Sequence, residues 1–159
     1  MNLKNFFEFD LKSLKHFLIE DLEIEEKKIS MRSKQIWQSV YKKGSFEINN
    51  LTTFPLELRS KLNSLISLQM PKIVNTQTSN DGTIKWLIKL FDGNEVECVY
   101  IPEKTRATLC ISSQVGCTLN CRFCHTGTQR LVKNLSFAEI VNQVMIAKDQ
   151  VNDWDEKKK

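Results

Sequence analysis

Apolar residues in the first 75 positions recur at one-turn intervals. Leu11, Leu14, Phe17 and Leu18 do so, and so do Ile36, Trp37, Val40 and Tyr41. Such spacing lines one side of a helix with apolar side chains. It predicts a first helix around 11–18. It predicts a second behind the polar start Ser30-Met31-Arg32-Ser33, ending at Gly44. A third is expected from Pro55, whose missing N–H costs nothing in a first turn. It would run through Leu58, Leu62, Leu65 and Ile66 and stop at Pro71.

The period then changes. Thr83 to Leu90 and Glu95 to Ile101 are rich in β-branched and aromatic residues, with Asp92-Gly93 between them as a hairpin signal. Ala107 to Ser112 reads as a third strand, expected to be buried. A cysteine-bearing loop follows, with Gly116 and Gly127 for tight turns. Beyond it, Ser136 and Glu139 form a capping box, with Leu135 and Ile140 as a hydrophobic staple. The helix they open carries Ile140, Val141, Val144, Met145 and Val151. Strand, loop and helix in that order open a βα unit. One such unit cannot close a sheet or cover both its faces, so the sequence is expected to be cut from a larger α/β domain. The expected organisation is a helical domain over 1–75, a β-hairpin connector over 76–102 and the start of an incomplete core domain over 103–159.

Composition places the chain among soluble globular proteins, with 41% hydrophobic and 26% charged residues. No apolar run nears the roughly 18 residues of a membrane span, and Met1 to Glu8 lacks a signal-peptide core. A cytoplasmic protein, with no membrane partner and acting as a monomer, is expected. The net charge is +4. Lys27, Lys28, Arg32, Lys34, Lys42 and Lys43 follow one another with no acid between them. They form either a phosphate-binding patch or a solvated helix face.

The candidate chemistry lies in the cysteines. Of five, three crowd into Cys117-Thr118-Leu119-Asn120-Cys121-Arg122-Phe123-Cys124, a C-x3-C-x2-C spacing. The odd count argues against a disulfide framework. Three thiolates on one short loop can each hold one iron of a cubane [4Fe–4S] cluster, leaving the fourth iron open for another ligand. A zinc site completed by His125 also fits this spacing. Inert buried thiols are a third reading.

The stretch Val99 to Gln129 resembles the RlmN/Cfr family of radical S-adenosylmethionine (SAM) RNA methyltransferases. It contains Thr108-Leu109-Cys110-Ile111-Ser112-Ser113-Gln114-Val115-Gly116-Cys117 and the three-cysteine motif. The resemblance continues through Arg130 to Leu135 and Glu139 to Val144. It is also visible at Ser79 to Trp86 and at Gln35-Ile36-Trp37. It is nearest to the branch that methylates adenine C2 in both 23S rRNA and tRNA, the alternative being C8 methylation of rRNA.

The resemblance implies an N-terminal helical RNA-binding domain followed by a radical SAM barrel of partial TIM-like form. It implies that Cys117, Cys121 and Cys124 ligate the cluster, and that SAM occupies the open iron with Phe123 near its adenine. An electron donor for the cluster is implied too. One SAM would methylate a late cysteine, and a radical from a second would carry that carbon to adenine. Cys110 would then release the product through a transient disulfide. Glu97 would take the departing proton, a role Cys110 could also fill. From the residues alone, Cys110 reads rather as a buried strand thiol and Glu97 as a strand acid paired with a lysine. Cys98 matches no functional position. The methyl-carrying cysteine and the SAM-binding glycine segment are not among these 159 residues. A module stabilised by zinc that binds RNA without catalysis is the rival reading.

Overall fold

The computed structural model describes residues 3–117 and 130–154. The chain divides into two units, Met1–Gln69 with Lys148–Lys159, and Met70–Ala147.

The first unit is built on α1 (Leu11–Glu20), α2 (Glu26–Tyr41) and α3 (Leu56–Asn63). Asp10 caps α1 by accepting from the Ser13 N–H at 2.6 Å, and the Ser13 hydroxyl accepts from the Asp10 N–H. This reciprocal pair satisfies two donors that a helix start leaves open. Leu14, Phe17 and Leu18 bury one side of α1, and Ile36 and Val40 one side of α2. Phe6, Trp37 and Tyr41 cluster beside them, ring to ring at 4.6–6.3 Å. Two departures from the sequence pattern stand out. α2 begins at Glu26, a turn before the polar run expected to open it. α3 ends at Asn63, because Ile66 and Ser67 instead form β2 (Ile66–Ser67), parallel to β1 (Lys4–Asn5). Ile66 is an apolar residue shared by both patterns, and sheet pairing takes it.

The second unit holds a four-stranded antiparallel sheet in the order β3 (Lys72–Thr78), β4 (Ile84–Lys89), β5 (Glu95–Pro102), β6 (Ala107–Cys110). The expected hairpin is present. Its loop runs from Leu90 to Asn94, with Gly93 at φ +89° and Asp92 accepting from the Asn94 N–H. β3 has no clear apolar alternation, and its polar, largely exposed residues fit an edge strand. β6 was expected to be buried. Ala107, Thr108 and Cys110 are exposed instead, because β6 is the other edge. After β6 come β7 (Gln114–Val115), β8 (Lys133–Asn134) and α4 (Phe137–Gln150). The capping box opens α4: the Ser136 N–H donates to Glu139 Oε2 at 2.8 Å, and the Glu139 N–H to Ser136 Oγ at 3.3 Å. No helix among the described residues is long and apolar enough to cross a membrane.

Candidate functional site

Strand pleating sorts the sheet's residues onto two faces. Register pairs Trp86 with Cys98 and Ile88 with Val96, and all four are buried. It pairs Lys85 with Val99 and Val99 with Cys110 on the opposite face. Glu97, two residues from Val99 along β5, shares that face. Lys85, Glu97 and Cys110 therefore stand together on adjacent strands, all at least partly open to solvent. Lys85 Nζ pairs with Glu97 Oε1 at 2.9 Å. A carboxylate and a thiol on the same face of adjacent strands, at diagonal positions, offer a proton acceptor and a nucleophile to a molecule laid on this face. Cys98, one residue from Glu97, is fully buried. Burial, with the neighbouring Cys110 adding to it, pushes its thiol up to about 11.

The cysteine loop leaves the sheet through β7 and returns through β8. These strands pair Gln114 with Asn134 and Val115 with Lys133, and a backbone bridge brings Cys117 to Arg130. The Val132 N–H donates to Val115 O at 2.8 Å. Gly116 sits between, at φ +76°, and a Cβ there would lie 2.0 Å from the Arg130 carbonyl oxygen. Only glycine permits that approach, so the two ends of the 118–129 segment are pinned where Cys117 begins it. Cys117 is half-buried at this stem. Three cysteines spaced along a segment closed at its base suit a cluster that takes one thiolate per iron. Cys121, Phe123, Cys124 and the alternative zinc ligand His125 lie outside the described residues.

The stem is braced by charge. Lys133 Nζ bonds both Asp92 Oδ2 in the hairpin loop and Glu139 Oε1 in the first turn of α4. The Lys133 hydrogen bond is the largest influence on Asp92, whose carboxyl is held at about 2. Its two carboxylate partners in turn raise the Lys133 ammonium.

In the first unit the basic run is partly occupied. Lys27 and Lys28 both pair with Glu25. Arg32 donates to Gln35 Oε1 and Thr53 O and lies over the Phe54 ring. Lys34 and Lys42 make no ion pair among the described residues. The sequence hid this, because Glu25 precedes the run and Thr53 is remote from it.

A solved radical SAM methyltransferase from Sphaerobacter thermophilus superposes on 94% of this chain with a TM-score of 0.82 and 30% identity, over 43% of its own length. The fold is that of part of a radical SAM methyltransferase. Among curated proteins, the dual-specificity RNA methyltransferase RlmN of Rhodopseudomonas palustris (strain BisB5) is 52% identical over 130 residues, which is 78% of this chain and 33% of that protein. RlmN of Bradyrhizobium sp. (strain ORS 278) is 49% identical over 140 residues, covering 84% and 35%. The chain belongs to this RlmN family of radical SAM RNA methyltransferases and spans about a third of the length of the curated relatives it matches. No protein-family model matches it.

Proposed function

We propose that this chain supplies the cluster loop and part of the reacting face of an enzyme that methylates adenine C2 in 23S rRNA and tRNA. The observation that carries the reading is the placement of Glu97 and Cys110 on one open sheet face, in a unit that also contains the stem of the three-cysteine loop. Cys117, Cys121 and Cys124 would hold a [4Fe–4S] cluster, with Phe123 beside the SAM adenine. When bound, the cluster and SAM would supply the one-electron chemistry, both the radical that activates the methyl carbon and the acceptor for the odd electron left once that carbon has joined adenine. Glu97 accepts the proton leaving C2 and Lys85 holds that carboxylate in place. Cys110 attacks the sulfur of the methyl-carrying cysteine. A disulfide forms, the sulfur–carbon bond breaks with its electron pair on carbon, and that carbon takes up a proton. Lys34 and Lys42 of the basic run are the cations best placed to meet phosphates.

Anaerobic reconstitution of the chain tests the site. It should yield a brown protein with about four irons, and Cys117→Ala, Cys121→Ala and Cys124→Ala should each remove the cluster. A colourless protein holding stoichiometric zinc would replace this reading with a zinc-stabilised RNA-binding module.

A further inference from the structure

Gln143 lies on α4 with its side chain fully buried. Its Oε1 accepts from the Ser112 N–H at 2.8 Å, and its Nε2 donates to the Ser112 carbonyl at 2.9 Å and to the Glu139 carbonyl at 3.2 Å. The amide thus pairs with Ser112 as a neighbouring strand would. Ser112 Oγ in turn donates to the Glu97 carbonyl at 2.8 Å. Ser112 is two residues past Cys110.

The β5–β6 ladder stops at Val99 and Cys110. Extending that register by two residues would place Ser112 opposite Glu97. At that position side chains take over from the ladder: Gln143 fixes the Ser112 peptide, and the Ser112 hydroxyl fixes the Glu97 carbonyl. A buried amide with its polar atoms bonded to backbone has one orientation, and the low-dielectric surroundings strengthen each bond. Without it, the Ser112 peptide would lose both its partners, and the chain just past β6 would be left to the Ser112 hydroxyl on the Glu97 carbonyl and the Leu135 N–H on the Ser113 carbonyl.

We propose that Gln143 is a positioning residue. Acting through Ser112, it sets the separation of the Glu97 carboxylate and the Cys110 thiol across the reacting face. This rests on the reading of that face given above. Misplacing two groups that act on one adduct by about 1 Å costs up to roughly a hundredfold in rate. The effect should fall on the steps those groups perform and spare the loading of the cluster.

The test compares Gln143→Leu, Ser112→Ala and Ser112→Thr with Cys110→Ala in a full-length enzyme carrying this segment. Four quantities are read: iron content, methylation of the late cysteine, turnover, and RNA that stays on the protein through denaturation. Gln143→Leu and Ser112→Ala should keep iron and cysteine methylation, lose about ten- to a hundredfold in turnover and trap RNA covalently. Ser112→Thr retains the hydroxyl and should restore turnover. In the 159-residue chain, the Ser112 amide should exchange faster with solvent in Gln143→Leu while the β4–β5 amides stay protected. If Gln143→Leu loses its iron, the Ser112 pair decides alone: equal behaviour of Ala and Thr overturns the proposal. If Cys110→Ala traps RNA and neither Gln143→Leu nor Ser112→Ala does, the positioning role is wrong and the face stands. If Cys110→Ala traps nothing, the reading of the face fails and the positioning role falls with it.

Discussion

Along β5, Val96 and Cys98 turn to one face of the sheet and Glu97 and Val99 to the other. The first face is buried, with Trp86 at 1% and Cys98 at 0% exposure. The second carries an ion pair and an exposed thiol. Alternation along β5, carried across to β6 by their register, thus puts two cysteines of very different character on opposite faces of the sheet. Cys98, its thiol pushed up to about 11, stays protonated at neutral pH and behaves as a small apolar group. Cys110 sits where a substrate can reach it. One face holds the sheet together and the other is open to solvent.

The largest effect expected from this division is on Glu97. In a full-length enzyme carrying this segment, Glu97→Gln should lower turnover by about 10²–10⁴-fold, the usual share of a general base, with iron content unchanged. A near-normal rate would reduce Glu97 to a partner for Lys85. On the buried face, Trp86→Ala should destabilise the sheet unit by about 3–5 kcal/mol in urea unfolding. A much smaller loss would mean that face is loosely packed.

A smaller effect concerns pH. Asp92 falls from its usual 3.8 to about 2 on folding, so its contribution is complete above pH 4 and disappears as pH falls through 2. Lys133 is raised, so its contribution is complete below its usual 10.5 and is lost as pH rises beyond that. Acid titration should therefore destabilise the chain more steeply between pH 4 and 2 than it does Lys133→Met, and parallel curves would count against the brace. The smallest effect is that of Lys85→Met. Lys85 and Glu97 are 40% and 50% exposed, and such pairs contribute about 0.2–1 kcal/mol. Stability should barely move in thermal unfolding.

The sequence made some elements plain and hid others for physical reasons. Ser136 and Glu139 announced α4 because a capping box is local chemistry. Asp92-Gly93 announced the hairpin for the same reason. β3 went unseen because an exposed edge strand needs no apolar alternation. The exposure of β6 depended on its place in the sheet order. The three-cysteine spacing was readable as a metal or cluster site from the residues alone. The roles of Glu97 and Cys110 came only from family resemblance, since a strand acid and a strand thiol carry no signature of their own. That they share a face emerges from register, and the Gln143–Ser112–Glu97 tie links residues 31 and 15 positions apart, which no local pattern reveals.

The central claim, that Cys110 reacts while Cys98 only packs, is tested most directly by comparing two variants for RNA retained through denaturation. With cluster and SAM supplied, Cys110→Ala in a full-length enzyme should accumulate a covalent protein–RNA adduct and cease multiple turnover. Cys98→Ala should turn over without retained RNA, at a modest cost in stability. Normal turnover by Cys110→Ala, or trapped RNA in Cys98→Ala, would contradict the account.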